Sequence, residues 1–197
     1  MKVNWPERIW VNSPVRMLAQ TREALWFKQV RPLAPGGRCL EIGCGRGVGA
    51  KMISRTFSPR RIDAIDIDPA MIELAVRKLT GSGKCRIFFL VADAQHIPYG
   101  DACFDAVFNF GIIHHLEDWR QGIKEISRVL VKGGAFYFEE IYPPLYANRL
   151  FRRLLVHPTQ DRFFGPDYRN ALSGVGLKLR SSYRESRFGI LGVAEKE

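Results

Sequence analysis

The chain has 197 residues, of which 46% are hydrophobic, 12% aromatic and 25% charged. It is too apolar to be disordered and long enough to build a core without disulfide or metal staples. No apolar run reaches the ~18 residues a membrane helix needs, and Glu7, Arg8 and Pro6 stand where a signal peptide would carry its apolar stretch. Cys39, Cys44, Cys85 and Cys103 form no CxxC pair, so they read as reduced residues of a cytoplasmic protein, with no metal site expected. The net charge of +10 is uneven. Residues 1–38 carry seven Lys/Arg against two Asp/Glu, 39–144 carry thirteen of each, and 145–197 carry ten against five. Basic ends flank a neutral middle, which suits either solvated helix faces or a rim for an anionic partner.

In chain order, 14–31 reads as a helix opened by Pro14, ended by the Pro and Gly of 32–37. Strand 38–42 follows, then a glycine-rich turn at 43–49 and a helix to about Phe57. Strand 61–67 leads to helix 69–79, and strands are expected at 85–92 and 104–110. Residues 118–130 form an amphipathic helix with Asp118 as its cap, stopped by Lys132-Gly133-Gly134 before strand 135–141. A basic helix over 145–156, a short one over 166–174 and two closing strands, 177–186 and 187–196, complete the chain. Such alternation predicts one domain: a doubly wound, Rossmann-like α/β fold with a seven-stranded sheet, mostly parallel, closed by an antiparallel hairpin strand. Residues 1–31 would cover it as an N-terminal helical element, and 142–175 would be a substrate-side insertion.

The turn Gly43-Cys44-Gly45-Arg46-Gly47-Val48-Gly49 lets backbone approach a nucleotide-like ligand at the carboxyl end of the first strand. Gly45-x-Gly47-x-x-Ala50 with Asp66 about 20 residues on also fits a dinucleotide fingerprint. Three acids argue otherwise. Glu41, Asp66 and Asp93 each lie at the carboxyl end of successive strands, so one sheet edge carries a row of carboxylates. A pyrophosphate would be repelled there, whereas a ligand with a cation, ribose hydroxyls and an amine would be welcome.

The segments LEIGCGRG, AIDIDPAMIELA, VADAQHIPYGDACFDAVFNFGIIHHLED and KEISRVLVKGG occur in this order over residues 38–141. Together they resemble the class I S-adenosylmethionine-dependent methyltransferases, nearest to the ubiquinone/menaquinone-biosynthesis type. The resemblance implies S-adenosylmethionine as cofactor and S-adenosylhomocysteine as product. Gly43, Cys44 and Gly45 would run beneath the methionine half, and Glu41 would face its end. Asp66 would take the ribose hydroxyls, and Ile67 and Met71 would pack on the adenine. Asp68 fits better as a helix cap. Asp93 would accept from the adenine amine, with Ala94 offering its N–H, and the backbone at Asn109 and Phe110 would meet the ammonium.

Methyl transfer needs mainly positioning, but a weakly acidic acceptor needs a base as well. His114 is the candidate base, and His115 reads as a local cap. The acceptor is expected to be small or lipid-like, perhaps anionic. It would be gripped by aromatic and Arg residues of the two flanking segments: Trp5, Trp10, Trp26, Tyr142, Tyr146, Phe151, Phe163 and Phe164 with Arg149, Arg152, Arg153 and Arg162. Peripheral membrane contact and a homodimer are compatible with this pattern. Nucleic acid is the rival acceptor. However, Asn109-Phe110-Gly111-Ile112 lacks the Pro-Pro-aromatic loop of amino-directed enzymes, and no cysteine follows a proline. A non-catalytic binder of S-adenosylmethionine is the third alternative.

Overall fold

The computed structural model describes residues 13–79, 85–146 and 161–197. Helix α1 (Pro14–Val30) starts where the Ser13 hydroxyl accepts from Arg16 N at 3.2 Å and Pro14 fills the first turn. Strand β1 (Arg38–Ile42) then feeds α2 (Val48–Phe57) through the glycine turn. The units β2 (Arg61–Asp66) with α3 (Pro69–Leu79), β3 (Arg86–Val91) and β4 (Phe104–Phe110) follow. After a 3-10 turn at Ile113–His115 comes α4 (Trp119–Val129), capped as expected by Asp118, whose carboxylate accepts from Gln121 N at 2.9 Å. Strand β5 (Leu130–Ile141), the short α5 (Pro143–Tyr146) and α6 (Gly165–Gly174) lead to β6 (Leu177–Leu179), β7 (Arg184–Ser186) and β8 (Gly189–Lys196).

The strands lie in the order β3-β2-β1-β4-β5-β8-β6, with β7 also on β8. The first five pair in parallel, while β8 runs antiparallel to β5, β6 and β7. Among the described residues the sheet therefore has eight strands rather than the expected seven. The stretch read as one strand over 177–186 breaks at a turn in which Tyr183 N donates to Arg180 O at 3.2 Å. Its two pieces lie end to end along the same edge of β8, against 194–196 and 189–191.

A second correction concerns Lys132-Gly133-Gly134. It does not separate helix from strand but lies inside β5, which begins at Leu130. Phe104 pairs with Leu130 and Ala106 with Ala135, so the extra residues bulge out, with Gly133 at φ 73°. Glycine tolerates that conformation because it has no Cβ. Of the basic helix expected at 145–156, only α5 falls among the described residues, and it starts earlier, at Pro143.

Alternate side chains of each central strand enter two cores, one per sheet face. Leu40, Ile42, Val107, Phe136 and Phe138 meet Trp119, Ile123 and Ile126 of α4 and Tyr168 and Leu172 of α6. Cys39, Ala64, Phe108 and Tyr137 meet Ala24 and Phe27 of α1 together with Ala50, Ile53 and Ile72 of α2 and α3. Helices on both faces and a reversal of strand order between β1 and β4 place a ligand crevice at the carboxyl ends of those two strands.

Candidate functional site: the carboxyl edge of the sheet

The turn after β1 is held by its own backbone. Cys44 N donates to Ile65 O at 2.9 Å, Gly45 N to an Asp66 carboxylate oxygen at 2.8 Å, and Gly47 N to Cys44 O at 2.9 Å. Gly43, Gly45 and Gly47 all have positive φ (67°, 50° and 82°). At Gly43 a side chain has no room: a Cβ there would lie 2.3 Å from Ile112 Cγ2. The turn is thus pressed against the segment that leaves β4.

Glu41 is the unusual member of this edge. It is 2% exposed, and its Oε2 has no hydrogen-bond partner. Its Oε1 lies so near Gly49 that a Cβ on Gly49 would meet it at 1.8 Å. Burial pushes its pKa well above the usual carboxylate range and the nearby Asp66 charge adds to this, against a hydrogen bond from the Ala50 backbone. Among the described residues no cation answers Glu41. A buried carboxylate with one orphaned oxygen beside a glycine cradle is the signature of a missing cationic partner.

Asp66 ends β2 and is half-buried, with one oxygen on Gly45 N and the other accepting from Asp68 N at 2.9 Å. Asp68 behaves as a helix cap, its carboxylate accepting from Ala70 N at 3.1 Å and its carbonyl from Met71 N at 3.0 Å. Ile67 is 41% exposed and Met71 half-buried, so an apolar surface adjoins Asp66. Asp93 follows β3 half-buried, its carboxylate taking Gln95 N at 2.8 Å, and Ala94 beside it is buried. Phe110 is buried, between Phe27 of α1 and Phe108.

Asn109 is fully buried, and its side chain turns inward. Its amide donates to Glu140 Oε1 at 2.6 Å and its oxygen accepts from Ile112 N at 3.0 Å. His114, 3% exposed, sets Nδ1 2.7 Å from Glu140 Oε2. Arg162 fastens the same turn by donating to His114 O at 2.7 Å and Leu116 O at 3.2 Å. Beside it, Arg16 of α1 reaches Glu139 Oε2 at 2.6 Å and Glu23 Oε1 at 3.1 Å. Burial raises the Glu23 pKa to about 7, as the Glu139 charge does further, despite Arg16.

Sequence reasoning missed Glu139, Glu140 and Arg16. The signal was present: Glu139-Glu140 sits in the otherwise uncharged strand AFYFEEI, which invites the argument already applied to Glu41. Of the proposed gripping residues, Tyr142 and Phe163 belong to the core, Trp26 is half-buried and Phe164 is 47% exposed. Trp5, Trp10, Arg149, Phe151, Arg152 and Arg153 lie outside the described residues, as does the side chain of Tyr146.

Residues 40–138 match a family model described as a methyltransferase domain. The chain belongs to this family, the class of S-adenosylmethionine-dependent methyltransferases. It is 37% identical over 192 residues to the ubiquinone/menaquinone biosynthesis C-methyltransferase UbiE of Geotalea daltonii, covering 81% of this chain and 78% of that protein. It is 35% identical over 161 residues to a fatty-acid O-methyltransferase of Mycolicibacterium smegmatis, covering 82% of this chain and 51% of that one. A probable phthiotriol/phenolphthiotriol dimycocerosates methyltransferase of Mycobacterium ulcerans is 34% identical over 108 residues, with 55% and 41% covered. The chain thus spans about half or less of the length of these last two relatives. In fold it matches the putative methyltransferase solved with the Trm112 activator of Haloferax volcanii, at a TM-score of 0.75 and 19% identity over 95% of this chain and 94% of that one. Among the described residues no helix is long and apolar enough to cross a membrane.

Proposed function

We propose that the chain binds S-adenosylmethionine at the carboxyl edge of β1, β2 and β4 and transfers its methyl group to a small lipid- or quinone-like acceptor. The observation that carries this reading is Glu41, a buried carboxylate with an orphaned oxygen and no cation on it among the described residues, lying beside a glycine turn. The ammonium and sulfonium of S-adenosylmethionine supply the positive charge that this edge lacks, so the residues present fit the ligand.

Gly43, Cys44 and Gly45 would pass under its methionine half, with Glu41 at the ammonium end and the Asn109–Phe110 backbone opposite. Asp66, already oriented by two backbone N–H groups, would accept the ribose hydroxyls. Ile67 and Met71 would cover one adenine face. Asp93 and Ala94 would read its amine edge. When bound, the cofactor supplies a methyl group activated by a sulfonium leaving group. The protein's part is to hold donor and acceptor in line and exclude water. α1, fastened over the edge by Arg16 and Glu139, borders the acceptor side. The lipid- or quinone-like class rests on the relatives named above: a fatty-acid O-methyltransferase, a probable phthiotriol/phenolphthiotriol dimycocerosates methyltransferase and a ubiquinone/menaquinone biosynthesis C-methyltransferase.

The test is calorimetry with S-adenosylmethionine, S-adenosylhomocysteine and NAD on the wild type and on Asp66→Ala, followed by transfer of a labelled methyl group to quinol, phenol and fatty-acid acceptors. The expected result is micromolar binding of the first two ligands, about −8 kcal/mol, lost in the variant. Binding of NAD in their place would overturn the reading.

A further inference from the structure

Helix α1 is inverted in its N-terminal half. Arg16, Gln20 and Glu23 lie on the stripe that meets the sheet, Gln20 buried and the other two half-buried in their ion pair. The opposite stripe, at 15, 18, 22 and 25, presents Val15 (68% exposed), Leu18 (55%), Arg22 and Leu25 (51%). An ordinary surface helix turns its apolar stripe inward and its charges outward. Here the inward charge is held by Glu139, which Arg16 reaches at 2.6 Å, and the large apolar side chains face out.

The outward face carries charge of one sign. Arg22 and Lys28 stand on it, while Glu23, the only acid of α1, is turned inward to Arg16. The β7–β8 hairpin continues this surface: Arg184 lies over the ring of Trp26 of α1 at 4.9 Å, and Arg187 over the exposed ring of Phe188 at 4.4 Å. Glu185, the one acid between Arg184 and Gly189, is taken by Arg169 of α6. Exposed apolar side chains and arginines thus lie together with no outward carboxylate among them.

The surface borders the acceptor side. Arg16 Nη2 and Glu139 Oε2 close over Gly111, in the turn that leaves β4, and Val15 and Leu18 flank Arg16 on the first turns of α1. Phe188 stands at the end of β5, where its carbonyl accepts from Tyr142 N at 2.8 Å.

We propose that the outer face of α1 and the β7–β8 hairpin dock on an anionic lipid surface, from which a lipid-like acceptor enters the site. The entry of the acceptor rests on the methyltransferase reading above, and the docking does not. An anionic bilayer meets both features at once, with headgroups for the guanidinium groups and acyl chains for Val15, Leu18 and Leu25. The long arginine stems let the charges stay at headgroup level while the apolar tips go deeper. A second copy of the chain fits less well, because a two-fold contact would press two cationic faces together.

The test is co-sedimentation of the full chain with vesicles of phosphatidylcholine alone and with about one-third phosphatidylglycerol. Binding is expected on the anionic vesicles and should weaken steeply in about 0.5 M salt. Arg22→Gln, Arg184→Gln and Arg187→Gln should each lower the affinity about fivefold. Val15→Ser combined with Leu18→Ser should lower it about 10–100-fold. These side chains are exposed, so urea midpoints should not move. Leu90→Ser removes a 40% exposed side chain from β3, at the opposite edge of the sheet, and should leave vesicle binding unchanged. With a long-chain alkylphenol carried in the vesicles, methyl transfer should fall in parallel with binding. A short, water-soluble phenol should be methylated equally by the wild type and the double variant.

No sedimentation with anionic vesicles, equal binding to neutral ones, full binding by the double variant, or an equal loss in Leu90→Ser would each overturn the proposal. So would a dimer in light scattering that the double variant abolishes with vesicle binding unchanged, which would give the stripe to a second copy. Calorimetry with S-adenosylhomocysteine keeps the two readings apart: without binding the methyltransferase reading fails, while sedimentation still reports on α1.

Discussion

Glu41→Gln separates what the buried carboxylate does for the ligand from what it costs the free protein. The substitution keeps size and shape but removes the charge, while Oε1 retains its place beside Gly49 and Ala50. If Oε2 takes up a ligand ammonium, a charge-assisted hydrogen bond worth about 1.5–3 kcal/mol is lost. Affinity for S-adenosylhomocysteine should then fall ~10–150-fold.

The free protein should move the other way. Its buried carboxyl has no cation among the described residues and feels Asp66, so burial and repulsion hold the pKa well above the usual range. A raised carboxyl pKa means that stability is full below the unfolded value of ~4.3 and is lost as pH rises through the folded value. Replacing the group with a neutral one of equal volume should return about 1–2 kcal/mol at neutral pH, or ~2–8 °C in Tm for a domain of this size. The gain should vanish toward pH 4.

Thermal melts of ligand-free wild type and variant between pH 4 and 8, with calorimetry at pH 7.5, measure both effects. Tight binding by the variant, or equal destabilisation at every pH, would refute the assignment of Glu41 as the buried carboxyl that receives a ligand cation.

Gly43→Ala should be worse than Gly45→Ala although both need positive φ, because a Cβ at 43 meets Ile112 at 2.3 Å while at 45 nothing lies within 4 Å. Expected costs are ~3 kcal/mol or more against ~1–2 kcal/mol for backbone strain alone, read from urea midpoints. Arg16→Met leaves Glu139 and Glu23 without their shared cation. A loss of ~3 kcal/mol is expected, with faster proteolysis of α1, and Glu139→Gln in the same background should recover part of it. Asp63, fully buried, is bound by Arg61 at 2.6 Å and Arg38 at 2.9 Å. Burial pushes its carboxyl up, but these hydrogen bonds outweigh it and the pKa falls below the usual value. Its contribution is therefore present above ~pH 4 and is lost as pH falls through the folded value. Asp63→Asn should cost ~1–3 kcal/mol at pH 7 and flatten the acid limb of the stability profile.

The strand–helix alternation and the acids at three strand ends could be read from the sequence because each depends on neighbours in the chain. Hydrophobic period, Pro14 and Asp118 at helix starts and glycine in the first turn act within a few residues. The row of Glu41, Asp66 and Asp93 follows once the strands are parallel, since each strand then ends at the same edge. What required the tertiary structure was pairing between distant segments. The bulge at Gly133 depends on the register of β4 against β5, and the division of 177–186 into β6 and β7 depends on how each piece meets β8. Asn109 gave no hint in the sequence that its side chain would turn inward to Glu140, 31 residues away.

His114 could be named as a candidate from its position after β4, but its pairing with Glu140 could not, because the two lie 26 residues apart in the chain. The same holds for Arg16, which meets Glu139 across 123 residues of chain. Local chemistry in this protein is written along the chain. Its charge balance is decided by which strands and helices the fold brings side by side, because a buried carboxylate is tolerated only where another part of the molecule, or a ligand, supplies its partner.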